Sequence, residues 1–333
     1  MTVSRRQMLA LMAGAFAPPV RAYEFPPMLR GDVALFTERI CTRHGLDEGK
    51  VRELLLEAQV LPGVLRAIAT PGTAKPWHVF RANYLSKPRI DGGVAFWREN
   101  APLLVQARET FGVPEELIVA IVGVETVYGR TTGSYRVLDA LFTLGFEGQN
   151  RAAYFQSELE ELMLLARDGI VDPRTVKGSY AGAMGWPQFM PSSLRRYGVD
   201  FDADGRVDLW SSPADIIGSV ANYFRQFGWQ TGADVVLRAM VREPSEAASL
   251  VSLGVKPAAG RQQFDAKGVT TERPLKDGEL ASLLLYEGEN GAEYWAGLDN
   301  FYAITRYNRS QNYALAVWQL ARALSEARSR ASW

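Results

Sequence analysis

Val113-Pro114-Glu115-Glu116-Leu117-Ile118-Val119-Ala120-Ile121-Val122-Gly123-Val124-Glu125-Thr126-Val127-Tyr128-Gly129 ends an uninterrupted apolar run on one acidic residue. Pro114 suits the first position of a helix, and Glu115 and Glu116 complement the positive end of its dipole. Nothing from Leu117 to Val124 is polar, which predicts a helix buried on all sides. Glu125 then stands at the C-terminal end, where the negative end of the dipole and the loss of hydration both favour a protonated carboxyl. A carboxyl of that kind is a general acid near neutral pH. The pattern equally allows a glutamate that emerges at the surface as the helix ends, or one that pairs with Arg130.

The surrounding chain narrows the chemistry. Its 333 residues are 47% apolar, 22% charged and 11% aromatic, the composition of a folded protein of about two domains or one elaborated domain. Disorder, collagen and a polytopic membrane protein are excluded, since no stretch reaches the roughly 18 consecutive apolar residues of a spanning helix. With 37 basic and 37 acidic residues there is no uniform positive field to hold nucleic acid. His44, His78 and Cys41 are the only residues of their kinds, which leaves no disulfide framework and little for a zinc site or a histidine triad. The chemistry must run on carboxylates, hydroxyls and amides, and no organic cofactor is expected.

Residues 1–22 have paired arginines at Arg5 and Arg6, an uncharged run from Gln7 to Val20 and a small residue at Ala22, the features of an export signal. Ser4-Arg5-Arg6 is similar to a twin-arginine start, although Sec signals also carry paired arginines. No cysteine stands at the cleavage site, so no lipid anchor is expected. Its removal takes three basic residues and no acid, leaving a mildly acidic mature chain.

Helical spacing marks Asp32–Gly45 and Leu46–Gln59, with Phe36, Ile40, Leu54 and Leu55 on buried faces. Cys41 and His44 share a helix face but lack a third ligand, so they are assigned to core and surface. A loop rich in Gly, Pro and basic residues is expected from Thr70 to Gly93, then one helix from Val94 to Phe111 with Trp97, Leu104 and Ala107 inward. From Thr231 to Gly288 the pattern changes to short β-type runs, Val235-Val236-Leu237, Gly268-Val269-Thr270 and Leu283-Leu284-Leu285-Tyr286, which predict a small β insertion. Helical spacing returns around Tyr313, Trp318 and Leu320, before a charged tail with no partner evident.

Two further motifs carry chemistry. In Gly178-Ser179-Tyr180-Ala181-Gly182-Ala183-Met184-Gly185-Trp186-Pro187-Gln188, the glycines permit close backbone approach by a ligand, and Ser179, Tyr180 and Gln188 offer the neutral hydrogen-bonding groups that sugars use. A tight packed loop would look the same. Asp200-Phe201-Asp202-Ala203-Asp204-Gly205-Arg206-Val207-Asp208 matches the D-x-D-x-D-G opening of an EF-hand calcium loop, with the Arg206 carbonyl as the next ligand. Ser211 stands where the bidentate Glu is usual, so Asp215 is the candidate to close the shell, unless it serves only as a carboxylate in the first turn of the next helix. Sodium or another hard cation is the subsidiary occupant. The tyrosines of Phe301-Tyr302-Ala303-Ile304-Thr305-Arg306-Tyr307-Asn308 could line a cleft or belong to the core.

Five ordered blocks, V-G-V-E-T-V-Y-G at 122–129, G-S-Y-A-G-A-M-G-W-P-Q-F-M-P-S-S at 178–193, V-D-F-D-A-D-G-R-V-D-L-W at 199–210, S-V-A-N-Y-F at 219–224 and F-Y-A-I-T-R-Y-N at 301–308, resemble the lytic murein transglycosylase B family. The resemblance covers nearly the whole chain from about residue 25. It implies a mainly α fold with a small β insertion: an N-terminal helical region over 23–93, a lysozyme-like core with an EF-hand-like calcium loop over 94–230, the β insertion over 231–288, and a return to the core over 289–333. By position, Glu125 matches the family's single acid/base, and Ser179 and Gln188 match residues lining the saccharide cleft. Tyr307, Asn308 and Tyr313 fall on its aromatic and amide positions near the scissile bond. Asp200, Asp202, Asp204, Arg206 through its carbonyl, and Asp215 fall on the ligands of a structural calcium, with one extra residue before Asp215. Two departures stand out: Phe80 occupies a cleft-tyrosine position, and Gln149-Asn150-Arg151 keeps one of a usual arginine pair.

The implied activity is periplasmic, non-hydrolytic cleavage of the β-1,4 bond between N-acetylmuramic acid and N-acetylglucosamine in peptidoglycan glycan strands. Protein partners would come from cell-wall synthesis or division. Ordinary glycosidases need two carboxylates; one suffices if it protonates the leaving oxygen and then, ionised, deprotonates the sugar's own C6 hydroxyl, giving a 1,6-anhydro end. A hydrolytic muramidase and a catalytically silent peptidoglycan-binding scaffold are the alternatives.

Overall fold

The computed structural model describes residues 30–69 and 76–330, in two compact units that meet in sequence between Glu57 and Ala58. The expected export signal at 1–22 lies outside the described residues. In the first unit, α1 (Gly31–His44) ends on Gly45 in the left-handed conformation, and α2 (Glu48–Leu56) starts on Asp47, whose side chain accepts from the Lys50 amide. Phe36, Ile40, Leu54 and Leu55 are buried as their spacing predicts. Cys41 is also buried, in keeping with its assignment to the core.

The second unit opens with α3 (Pro62–Ala69), α4 (Trp77–Tyr84), α5 (Lys87–Glu99), α6 (Ala101–Phe111) and α7 (Glu115–Thr126). The loop expected up to Gly93 is therefore largely helical. Trp77 and Phe80, three apart, anchor α4 in the core at 2% and 5% exposure, and Pro88 starts α5 rather than breaking it. Gly93 is a packing residue: a Cβ there would come within 2.3 Å of the Tyr128 hydroxyl and 2.4 Å of Leu324. The single helix expected over 94–111 divides at Asn100, whose Nδ2 donates to the Phe96 carbonyl while Pro102 opens α6. Trp97, Leu104 and Ala107 face inward in both halves.

Every residue of α7 from Leu117 to Val124 is buried, and α15 (Gln311–Arg330) packs along it, with α5 and α6 alongside. Between these helices the chain forms β1 (Tyr135–Arg136), α8 (Val137–Phe146), α9 (Ala152–Arg167), β2 (Lys177–Gly178), α10 (Pro191–Tyr197) and α11 (Pro213–Gln226). β1 and β2 pair antiparallel, which fixes the start of the glycine-rich stretch against α8. Glu158 on α9 caps α10 by accepting from the Ser192 amide and hydroxyl.

Four antiparallel strands follow in the order β4-β3-β6-β5, namely β3 (Val236–Val241), β4 (Val269–Thr271), β5 (Ser282–Gly288) and β6 (Gly291–Gly297), with α12 (Pro244–Val251) and α13 (Arg261–Ala266) between β3 and β4. The strand-forming stretch thus runs past Gly288, through a turn at Glu289-Asn290, to Gly297. Alternation along β5 places Leu283 in a separate core with Leu237, Leu250, Phe264 and Val269, and Leu284 and Tyr286 in the helical core. α14 (Asp299–Tyr307) then leads to α15, whose last turn is not a loose tail: Arg328 donates to Glu115. Among the described residues no helix is long and apolar enough to cross a membrane.

Candidate active site

The end of α7 is built to hold one carboxyl out of water. The helix closes in a left-handed turn, with the Val127 amide on the Gly123 carbonyl and the Tyr128 amide on that of Val122. Val127, Tyr128 and Gly129 are all left-handed, at φ 52°, 57° and 80°. Glycine is the usual residue at the first of these positions, and a β-branched side chain there carries strain on the order of 1 to 3 kcal/mol. Tertiary contacts hold the turn. Thr126, fully buried, donates to the Trp186 carbonyl and accepts from the Gly129 amide, and a Cβ on Gly129 would collide with Trp186 at 2.2 Å. The Tyr128 hydroxyl donates to the Arg89 carbonyl, and Arg89 Nη1 donates to the carbonyls of Gly123 at 2.6 Å and Val124 at 3.3 Å.

Glu125 projects from this turn partly exposed, with protein packed around its carboxyl. Burial pushes its pKa from 4.5 up to about 7, against the opposing hydrogen bond from Tyr313. Its partner is therefore the Tyr313 hydroxyl on α15, which donates to Oε1, rather than Arg130. Among the described residues, no second carboxylate is among the charges that act on it.

The other sequence-derived residues have the following contacts. Tyr307 is close enough for the charge of Glu125 to raise its phenol further, after burial. Its hydroxyl donates to the Pro187 carbonyl at 2.6 Å, so it braces the loop that carries Gln188. Gln188 is itself left-handed, at φ 52°, and its Nε2 donates to the carbonyls of Thr132 and Gly185. That orientation leaves Oε1 as the acceptor. Ser179 Oγ accepts from the Ala181 and Ala183 amides, which shapes the loop. Asn308 is exposed after α14, its Oδ1 accepting from the Ser310 amide. Arg151 stands just before α9 in the left-handed conformation, its guanidinium carbon 4.2 Å from the Tyr154 ring centre.

Three expectations change. The glycines of the 178–188 loop do not open onto a ligand: a Cβ on Gly178 would meet the Ala183 carbonyl at 2.1 Å, on Gly182 the Leu141 side chain at 2.5 Å, and on Gly185 the Leu209 carbonyl at 2.6 Å. They exist for self-packing. Phe80, at 5% exposure, is a core residue packed on Trp77 and Tyr84 and presents no free face to a sugar. Asp215, at 1% exposure, spends both oxygens on backbone, Oδ1 accepting from Phe201 at 2.8 Å and Oδ2 from Asp208 at 2.7 Å. It laces the two ends of the acidic loop together rather than joining its cluster.

That cluster comprises Asp200, Asp202 and Asp204, with one oxygen of each within 4.8 Å of the others. Backbone amides of Asp204 and Gly205 point at Asp200, that of Arg206 points at Asp204, and Gly205 sits at φ 93°. Three like charges gathered this closely, all hard oxygen donors at alternate positions, suit a divalent cation such as calcium.

Sequence reasoning missed Tyr84, Arg89 and Thr126, and saw in Glu115 only a dipole partner. Glu115, at 4% exposure, accepts from Trp97 Nε1 at 2.8 Å, Arg108 Nη1 at 2.7 Å and Arg328 Nη1 at 3.1 Å, so it is a buried anchor as well as a dipole partner.

A helical scaffold that ends on a carboxyl with a raised proton affinity has the property a general acid needs. The chain belongs to the transglycosylase SLT domain family, whose model matches residues 30–322. It is 43% identical to the membrane-bound lytic murein transglycosylase B of Escherichia coli K12, over 88% of this chain and 82% of that protein. Among solved structures it is similar to the soluble lytic transglycosylase SltB1 of Pseudomonas aeruginosa, with a TM-score of 0.83 and 46% identity, covering 90% of this chain and 99% of that one. The Escherichia coli lytic transglycosylase Slt35 in complex with calcium matches with a TM-score of 0.80 and 42% identity, covering 90% and 94%.

Proposed function

We propose that this chain cleaves the β-1,4 bond between N-acetylmuramic acid and N-acetylglucosamine with Glu125 as its single acid/base, leaving 1,6-anhydro ends. It is a peptidoglycan lytic transglycosylase, as its relatives are. The observation that carries the single-residue mechanism is the enclosed carboxyl of Glu125, protonated up to about pH 7 and bonded to Tyr313. A protonated carboxyl delivers its proton to the leaving oxygen; the substrate's acetamido group shields the cationic centre. The carboxylate formed is stabilised by the Tyr313 hydroxyl and draws the proton from the C6 hydroxyl as that oxygen attacks C1. Intramolecular attack depends on orientation. Gln188 Oε1, Ser179, Asn308 and the braced Tyr307 are the groups assigned to position the sugars, and Arg151 is assigned to carboxylates of the stem peptide.

Mass spectrometry of digested sacculi tests this. Products that end in 1,6-anhydromuramic acid are expected; products with full reducing ends would mean that water replaces the C6 hydroxyl, as in a hydrolytic muramidase.

Asp200, Asp202 and Asp204, with the Arg206 carbonyl, are the residues that would hold calcium. The ion would neutralise the gathered carboxylates and stabilise the loop ahead of α11. The similarity to Slt35, whose structure holds calcium, supports this assignment. Export to the periplasm by the N-terminal signal fits a substrate that lies outside the cytoplasm.

A further inference from the structure

Phe80 leaves a hydroxyl missing from the place where the family resemblance expects one. Tyr84, one helical turn further along α4, carries a phenol whose ring lies 5.0 Å from that of Phe80. The guanidinium carbon of Arg89 sits 5.0 Å from the Tyr84 ring centre. Arg89 is fixed in turn, because its Nη1 donates to the carbonyls of Gly123 and Val124, the two residues before Glu125. Tyr84 is thus stacked on a cation tied to the turn that carries the acid. The charge of Glu125 reaches it, pushing the phenol up after burial while Arg89 offsets the effect, and Tyr84 acts likewise on Tyr313.

The three phenols grouped around Glu125 differ in what their hydroxyls do. Tyr313 is committed to Glu125, and Tyr307 to the Pro187 carbonyl. Tyr84 is half-buried, and its hydroxyl bonds no described residue. A phenol whose ring is held on two sides and whose hydroxyl has no protein partner is equipped to bond a ligand at low entropic cost.

We propose that Tyr84 contacts the substrate, its hydroxyl hydrogen-bonding the glycan beside Glu125, and that Arg89 is the positioning residue that orients its ring. The proposal rests on the assignment of this site as glycan-cleaving.

Two measurements test it on the full chain: kcat/KM for release of fragments from sacculi, and binding of a chitin hexasaccharide to protein carrying Glu125→Gln. Tyr84→Phe removes one oxygen and keeps the ring, so the fold is retained, as an unchanged Tm would verify. Loss of one neutral hydrogen bond is expected to weaken both binding and kcat/KM roughly threefold to tenfold. Values within twofold of the parent would overturn the substrate contact. Arg89→Lys keeps the charge but not the flat stacking surface. It should weaken binding in the parent and weaken it less once Tyr84→Phe is present, because the part of its effect that runs through the Tyr84 ring is then already lost. Additive losses would overturn the positioning role. Were Glu125→Gln to digest sacculi as well as the native chain, the general-acid assignment would fall, and the hexasaccharide binding alone would decide the role of Tyr84.

Discussion

The Tyr313 hydroxyl, on α15, donates to Oε1 of Glu125 at the end of α7. This bond favours the ionised carboxyl, opposing the burial that favours the neutral one, and burial prevails. Tyr313→Phe removes only the opposing influence. The alkaline limb of the pH profile for sacculus digestion should therefore move to higher pH, and the rate at pH 7 should fall on the order of tenfold because the carboxylate loses its donor. A limb that stays in place or moves to lower pH would contradict this.

Native activity should decline as the pH rises through about 7, where Glu125 loses its proton. Glu125→Gln should lower turnover at least about a hundredfold at every pH. Fragment release from sacculi between pH 5 and pH 9 measures both.

The same substitution should stabilise the protein, with a sign set by linkage. Folded Glu125 keeps its proton up to about pH 7, whereas the unfolded side chain releases it near 4.5. The folded state binds the extra proton between those values, so stability is full below about 4.5 and is lost as the pH rises through 7. Above pH 7, Glu125→Gln should exceed the native chain by up to roughly 3 kcal/mol, and the gap should close below pH 4.5. Denaturant unfolding at pH 4.5 and pH 8 gives the two differences; equal values would refute the sign.

Calcium added to chelated protein should raise the Tm, since a ligand bound only by the folded state stabilises it by about 2.7 kcal/mol at a hundredfold excess over Kd. Asp200→Asn with Asp202→Asn should abolish the shift. Sodium producing the same shift at equal concentration would reassign the occupant.

At the far end of α7, Glu115→Ala leaves the Trp97 indole buried without its acceptor and takes an acceptor from Arg108 and Arg328. The arginines can turn to solvent; the indole cannot. A loss of roughly 2 to 4 kcal/mol is expected in urea unfolding, with kcat on sacculi within about twofold of native.

What the sequence disclosed followed from local chemistry. The apolar span of α7 announced its own burial, and the alternate aspartates announced a cluster, because both signals are complete within a dozen residues. The parts that stayed hidden depend on distant partners. Gly93 and Pro88 suggested a loop, but Tyr128 and Leu324 give Gly93 a packing task inside a helix. Glu115 showed only its place in a first turn, since its partners Trp97, Arg108 and Arg328 come from three other elements. Asp215 had the right residue type to close a metal shell and instead accepts from the backbone amides of Phe201 and Asp208. β6 shows no clean inside–outside alternation, so nothing in its composition separated it from a turn.

α15 touches both ends of α7, through Tyr313 at Glu125 and Arg328 at Glu115. The residues joined at the acid are 188 positions apart. The acid and its hydrogen-bond partner therefore come from segments far apart in sequence, and a fragment without α15 lacks the contact. In a peptidoglycan-cleaving enzyme this ties the acid to the folded state: α7 alone carries the carboxyl but not the hydroxyl that holds it.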